Sequence, residues 1–340
     1  MLKTSFTASA CLICVTASAQ AEATGFRHFG IDGEGTRPLN VALWYPAEDN
    51  APPQPIGENP AFIGISAIPG ATPEPGPHPL IVLSHGFGGN WRNLNWLAGE
   101  LAGQGYAVAA PDHPGTTTFD RNPIQAEMLW ERPRDLSRTI DGVLADPALA
   151  GEIDPSRIAA IGHSLGGWTV TAVAGGRFDP VRFARDCEVN ANLRACSLSG
   201  ELGLADAALG QDFRDPRVNS FVSLDLGLAR GFTPESLAAL PVPALILGAG
   251  IDVGDMPAEL ESGWLSEHLP AGSTRKVTIP DAIHFSFMQR CKPGGEALIE
   301  AEVPGEGIIC RDGGSRGRAE IHAEISAAII SFLEETLPPR

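Results

Sequence analysis

Positive charge is scarce in this chain. Lys and Arg number 24 against 41 Asp and Glu, which leaves a formal charge of −17. A phosphate backbone wants a basic surface, so nucleic acid is set aside as a partner. Anionic lipid surfaces are disfavoured for the same reason. The acidity itself reads as solubility and names no partner. Long hydrophobic runs are missing too, and no segment reaches the length of a membrane span. No internal repeat is present. The cysteines lack the C-x2-C spacing of zinc sites, so no metal is expected. No glycine-rich segment has the G-x-x-x-x-G-K pattern that cradles phosphate.

What is present is a globular composition. Of 340 residues, 43% are hydrophobic and 19% charged, which excludes wholesale disorder and provides a sizeable core. The length fits one large α/β domain, or at most two ordinary ones. The first 21 residues read as a secretory signal peptide. Lys3 supplies a positive start, residues 8–17 an apolar stretch, and Ala17-Ser18-Ala19 or Ala19-Gln20-Ala21 small residues for cleavage. An exported protein, periplasmic or secreted, is the expectation. Residues 22–340 then form a single domain.

Cys11 and Cys14 fall in the signal, which leaves Cys187, Cys196, Cys291 and Cys310. An even number in an exported chain suggests disulfides. Proximity favours Cys187–Cys196 and Cys291–Cys310, each closing a short loop worth about 3 kcal/mol.

Residues 39–45 (LNVALWY) read as an early strand. Ten of the 29 prolines fall between Pro46 and Pro79, which reads as an extended surface connection. Short apolar strands then alternate with helical stretches. The strands are 79–84, 106–112, 157–162, 219–226, 243–250 and 275–281, and the helices are 92–105, 135–146, 165–176 and a closing amphipathic 321–337. That rhythm means a mostly parallel, doubly wound sheet with both faces covered. Residues 113–134 and 177–218 interrupt it and are long for plain loops, as lids or binding segments are.

One motif carries chemistry. RIAAIGHSLGG (157–167) contains G-x-S-x-G around Ser164. The regular expression alone is weak, since Gly313 to Gly317 matches it as well. Only the first match follows an apolar strand and opens an apolar helix, the setting of a nucleophile elbow. The second reads as a loop. In the elbow the serine projects at the carboxyl edge of the sheet, and the Leu165 amide points at the developing oxyanion.

A serine needs a base. Of eight histidines, His284 follows the last strand in IPDAIHFSFM (279–288), at the same edge. The acid lies between them in sequence. Asp252, just after the strand at 243–250, is preferred; Asp225, at the end of the preceding strand, is the alternative, and Asp255 a third. LSHGFGGN (83–90) supplies the second oxyanion donor through the backbone of Phe87. Trp91, Trp168 and Phe285 are candidates for an apolar acyl site, and each could equally be core.

These pieces resemble the α/β-hydrolase superfamily over nearly the whole mature length. Within it the chain looks like the bacterial predicted dienelactone hydrolase group related to platelet-activating factor acetylhydrolases. The matching blocks are VALWYPA (41–47), LSHGFGG (83–89), APDHPGTT (110–117), IGHSLGG (161–167), VPALILGAGID (242–252), HFSF (284–287) followed by Cys291, and CRDGGSRGRAEIH (310–322). The resemblance implies a cofactor-free serine esterase. It leaves the acid open, because relatives use either position. Dienelactone hydrolases proper use a cysteine where this chain has Ser164, so that substrate does not transfer. The expected function is hydrolysis of small or lipid-like esters through a Ser-His-Asp triad and an acyl-enzyme. Phospholipid or acetyl-ester cleavage, polyester cleavage and amide or peptide cleavage are alternatives, and so is a non-catalytic binding protein of the same fold. Oligomeric state is left unassigned.

Overall fold

The computed structural model describes residues 23–31, 37–49, 51–253 and 255–337. The expected signal peptide lies outside the described residues. Ten strands form the sheet: β1 (Ala23–Ile31), β2 (Leu39–Ala47), β3 (Gln54–Ile56), β4 (Ile65–Pro69), β5 (His78–Ser84), β6 (Ala107–Pro111), β7 (Ile153–His163), β8 (Val218–Leu224), β9 (Ala244–Ala249) and β10 (Thr274–Ile279). The order across the sheet is β10-β9-β8-β7-β5-β6-β2-β1-β4-β3. From β10 to β6 every pairing is parallel, so the carboxyl ends of six strands share one edge. β2 then runs antiparallel to β6 and to β1.

The described helices are α1 (Asn95–Ala102), α2 (Pro123–Glu127), α3 (Glu131–Ala145), α4 (Leu165–Ala174), α5 (Pro180–Val189), α6 (Arg194–Ser197), α7 (Pro234–Ala238), α8 (Trp264–His268), α9 (Gly295–Glu302) and α10 (Arg318–Thr336). Side chains alternate across the pleat, so one strand feeds two cores. Leu80 and Val82 of β5 pack with Ile140 of α3 and Val170 of α4 on one face. Ile81 and Leu83 pack with Leu97 of α1 and Ile325 and Phe332 of α10 on the other. This is the doubly wound, mostly parallel sheet that the strand–helix rhythm predicts. Among the described residues no helix is long and apolar enough to cross a membrane.

Three stretches go beyond the sequence reading. The proline-rich stretch is not merely a surface connection, because it contributes β3 and β4 to the sheet edge. There β4 pairs with only two residues of β1, so the prolines take nothing from an interior ladder. β1 was not expected; its burial alternates weakly, as befits a strand far from the centre. The segment 177–218, expected as a lid or binding segment, carries α5 and α6 and buries Phe183, Leu202, Leu209 and Phe213 in the α4-side core.

Trp168 belongs to that core as well. It is fully buried, packed against Phe178 and Phe232 at ring-centroid distances of 6.0 and 6.1 Å. Trp91 is buried against Trp44 and Phe26 at 5.6 and 5.5 Å. Both are core residues, the second of the two readings that the sequence leaves open for them. Trp168→Ala should therefore lower stability by about 3–5 kcal/mol, read as the urea midpoint. A variant that kept the wild-type midpoint and changed only KM would show that Trp168 faces substrate after all.

Candidate active site

Ser164 stands between β7 and α4 with φ 56° and ψ −120°, an uncommon backbone for a residue bearing a side chain. It is held there from both sides. Its N–H donates to Leu224 O at 2.9 Å, and its carbonyl accepts from Gly167 N at 2.8 Å. The flanking glycines are required by close approach. A Cβ on Gly162 would lie 2.0 Å from Gly166 O, and one on Gly166 would lie 1.9 Å from Ser84 O. The helix start is thus pressed directly onto the end of β5.

Asp225 follows β8, the neighbour of β7, and it too has a positive φ, of 44°. Its N–H donates to Leu247 O at 2.7 Å. Its carboxylate is shared between two partners. Oδ1 accepts from Ala249 N at 2.8 Å, and Oδ2 lies 2.7 Å from His284 Nδ1. Aspartate and histidine are only 5% and 6% exposed. A carboxylate at Nδ1 places the ring proton there and leaves Nε2 free to accept one. Asp252, the preferred acid in the sequence reading, does not reach the imidazole. Its Oδ1 accepts from Ala258 N at 2.7 Å and caps an exposed turn. Asp252 thus serves a turn after β9, whereas the turn at Asp225 brings its carboxylate to the histidine loop. No hydrogen bond joins the Ser164 hydroxyl to His284 among the described residues. Such contacts are often long in unliganded sites and tighten with substrate.

The histidine loop is braced by residues distant in sequence. His284 opens a short 3-10 turn, His284–Phe287. His163 Nε2 donates to His284 O at 2.9 Å, its ring 4.7 Å from the His284 ring. Trp96 Nε1 donates to Phe287 O at 2.9 Å. His322 stacks on Trp96 at 3.6 Å and donates from Nε2 to Ser286 O and Met288 O. Ser286 Oγ donates to Asp312, which Arg318 also holds. The second G-x-S-x-G is indeed a loop, with α10 starting after it at Arg318. The block around it contributes Asp312, Arg318 and His322 as the brace. Sequence reading missed these contacts; their one signal was the late block CRDGGSRGRAEIH itself.

Phe87 and Leu165, the expected oxyanion donors, lie on the glycine loop after β5 and at the start of α4. Leu165 is the first residue of α4, where an N–H has no partner inside the helix. Among the described residues neither amide donates to another group. The loop lies against the serine, since a Cβ on Gly86 would be 3.0 Å from Ser164 Cβ. The segment 113–134 is stitched to this loop rather than hinged. Gly88 N donates to Thr116 O, and Thr118 N to Gly89 O, both at 2.9 Å. From it Arg121 covers the Phe87 ring at 5.0 Å, while Phe119 and Ile124 stand 80% and 69% exposed. Phe285 is partly exposed, edge-on to the His284 ring at 5.4 Å. Cys187–Cys196 and Cys291–Cys310 are disulfide-bonded, and the second pair closes the segment that follows His284.

Comparison with known proteins gives a family and a fold. The model of the alpha/beta hydrolase family matches residues 81–292. A cutinase from Thermobifida alba is 34% identical over 101 residues, 29% of this chain and 31% of that one. A cutinase from Thermobifida cellulosilytica is 31% identical over 101 residues, 29% of this chain and 35% of that one. The matched stretch thus spans about a third of these curated relatives. A ferulic acid esterase from Streptomyces cinnamoneus superposes with a TM-score of 0.64 over 96% of this chain and 93% of that one, at 23% identity, a likeness of fold.

Several histidines are held neutral around the site. Burial, and then the charge of His284, lowers His163 to about 3. Burial, and then Arg318, lowers His322 to about 3. His85 and His113 are pushed well below 6.5 by burial first and Arg132 next. Above pH 6.5 neither folded nor unfolded chain protonates these rings, so their full contribution is present. Between 6.5 and about 3 the unfolded chain takes up protons that the folded one refuses, and stability falls with falling pH. Urea midpoints should therefore drop steadily from pH 7 to pH 4.5, with a shallower slope in His322→Gln. A flat profile in the wild type would contradict neutral buried histidines.

Proposed function

The chain belongs to the alpha/beta hydrolase family, and on that premise we propose that it is a serine carboxylic-ester hydrolase. The observation that carries the reading is the 2.7 Å contact of His284 Nδ1 with Asp225, one residue beyond the carbonyl that holds the strained Ser164. Ser164 is the nucleophile, His284 the base and Asp225 the acid. His284 Nε2 takes the Ser164 proton as Oγ bonds to the ester carbonyl carbon. The Phe87 and Leu165 amides receive the negative oxygen of the tetrahedral intermediate. The carbon–oxygen bond to the alcohol then breaks, and His284 returns its proton to the leaving oxygen. Water repeats the sequence on the acyl-serine: its proton goes to His284, its oxygen to the acyl carbon, and Ser164 recovers its hydrogen as the acid leaves.

The substrate is an apolar ester. Phe119 and Ile124 project from the segment 113–134, which is bonded to the oxyanion loop, and exposed apolar side chains on such a segment suit an acyl chain, an aromatic acid or a polymer surface. The cutinase and ferulic acid esterase names among its relatives agree with this class. The resemblance to the dienelactone hydrolase and acetylhydrolase-like group fits the same chemistry. Two disulfides suit an oxidising compartment, which supports export to the periplasm or beyond.

A fluorophosphonate probe should label the wild type and not Ser164→Ala. Asp225→Asn should lower kcat on an ester by on the order of 10⁴, whereas Asp252→Asn should stay near wild type. An unlabelled, folded wild type would make this a binding protein. Faster turnover of an amide than of the matched ester would make it an amidase. Loss confined to Asp252→Asn would return the acid to that position.

A further inference from the structure

A cluster of ionisable side chains lies beneath the Ser84–Gly89 loop, and the proposed reaction does not use it. Ser84, His85, His113, Arg132 and Asp135 are all buried. Arg37 donates to both oxygens of Asp135, at 2.9 and 2.7 Å. His113 Nδ1 lies 3.0 Å from Asp135 Oδ2, and its Nε2 lies 3.0 Å from Ser84 Oγ. The composition repeats Ser-His-Asp, but Ser84 has no exposed surface, so no ester reaches it. Its work is internal.

His85 shows what that work is. The backbone N–H of His113 donates to His85 Nε2 at 3.0 Å, which makes Nε2 the acceptor and leaves the proton on Nδ1. Nδ1 then donates to Gly86 O at 2.7 Å, and Gly89 N donates to the same oxygen at 3.1 Å. In a trans peptide the carbonyl and the following N–H point in opposite directions. Holding the Gly86 oxygen therefore fixes the direction of the Phe87 N–H.

Arg132 joins this loop to the helix. Its Nη2 donates to His85 O and its Nη1 to Thr116 Oγ1 at 2.7 Å. Its Nε donates to Thr169 Oγ1 at 3.0 Å, and that hydroxyl donates to Leu165 O at 3.0 Å. One planar guanidinium thus spans the segment that carries Phe87 and the helix turn that carries Leu165. No carboxylate lies within ion-pair distance of it among the described residues. Burial lowers its pKa to about 9, so it remains a cation at neutral pH, held at a cost.

We propose that Arg132 is the positioning residue of the oxyanion site: it sets the spacing of the Phe87 and Leu165 amides, while His85 sets the direction of the first. The inference rests on the serine-hydrolase reading above. The fork geometry, not charge alone, makes the link, because a lysine cannot reach the loop and Thr169 together. Arg132→Lys and Thr169→Val test it on the full chain with a short p-nitrophenyl ester. Active sites are counted by fluorophosphonate titration, and a boronic acid that bonds to Ser164 serves as a tetrahedral mimic. Arg132→Lys should lose about 10²-fold in kcat per titrated site, with KM changed by less than about threefold, and should weaken the boronic acid by a similar factor. Thr169→Val, the milder change, should shift both in the same direction and keep the comparison open should Arg132→Lys not fold. A merely structural role would reduce the number of titrated sites and leave kcat per site and boronate affinity untouched; that result overturns the proposal. A folded wild type that neither titrates nor hydrolyses the ester overturns the serine-hydrolase reading first, and this inference with it.

Discussion

A backbone-to-backbone contact decides where the candidate site stands: Gly166, at the start of α4, against the carbonyl of Ser84, at the end of β5. No side chain fits between them, since a Cβ would lie 1.9 Å from that oxygen. The contact brings the start of the helix and the glycine loop after β5 onto one spot. The two proposed oxyanion donors, Phe87 and Leu165, 78 positions apart in the numbering, lie on these two elements. A wider spacing would separate the two amides, and neither alone makes the paired donor set that a tetrahedral oxyanion needs. Arg132 repeats the same junction in polar terms, binding the loop on one side and, through Thr169, the helix on the other.

The surroundings of the site are polar, buried and largely uncharged in their imidazoles. His85, His113, His163 and His322 donate or accept as neutral rings, each fixed by a backbone group or a carboxylate. A protein with a formal charge of −17 could have lined this region with carboxylates. Beneath the glycine loop it instead places the buried Arg37 and Arg132 and a single buried aspartate, Asp135, which Arg37 and the His113 ring share. Neutral imidazoles satisfy backbone carbonyls without adding a charge that would compete with His284 for Asp225. His163, directly beside His284, shows the need most clearly. A second cation 4.7 Å away would oppose protonation of the base.

Much of this was legible in the sequence because it is local. Continuous apolar strands, the glycines bracketing Ser164 and the position of His284 after the last strand are all patterns within about ten residues. The fold class and the candidate serine and histidine follow from them. What was not legible depends on where chains go after they leave the sheet. Asp252 and Asp225 both follow strands at the right edge, and only the backbone turn distinguishes them. Asp225 takes a positive φ that aims its carboxylate inward, while Asp252 runs on into an exposed turn. A sequence shows the aspartates but not that turn. Trp168 was left open between acyl site and core for a related reason: an aromatic one turn into an apolar helix looks the same whether its face meets ligand or core. The braces Trp96, Asp312, Arg318 and His322 act over long stretches of chain, 191 positions for the Trp96–Phe287 bond, beyond any periodicity.

Strain ties these features together. Ser164 and Asp225 both hold backbone conformations that cost about 1–3 kcal/mol each. They lie at the ends of adjacent strands, and one bond links them, Ser164 N to Leu224 O, immediately before Asp225. Each is also clamped onward, Ser164 through Gly167 N and Asp225 through Leu247 O and Ala249 N. Relaxing either turn would lengthen the shared bond and loosen the other. The proposed nucleophile and acid therefore hold their geometry as a pair, carried by the parallel ladder of β7, β8 and β9. The base, by contrast, sits on a loop beyond the ladder. It needs the disulfide after it, the Trp96–His322 stack and the Asp312–Arg318 pair to be held as firmly. The architecture thus places the two strained residues on the rigid sheet and assigns its long-range contacts to the histidine, the member of the set that a loop presents and that has to exchange protons.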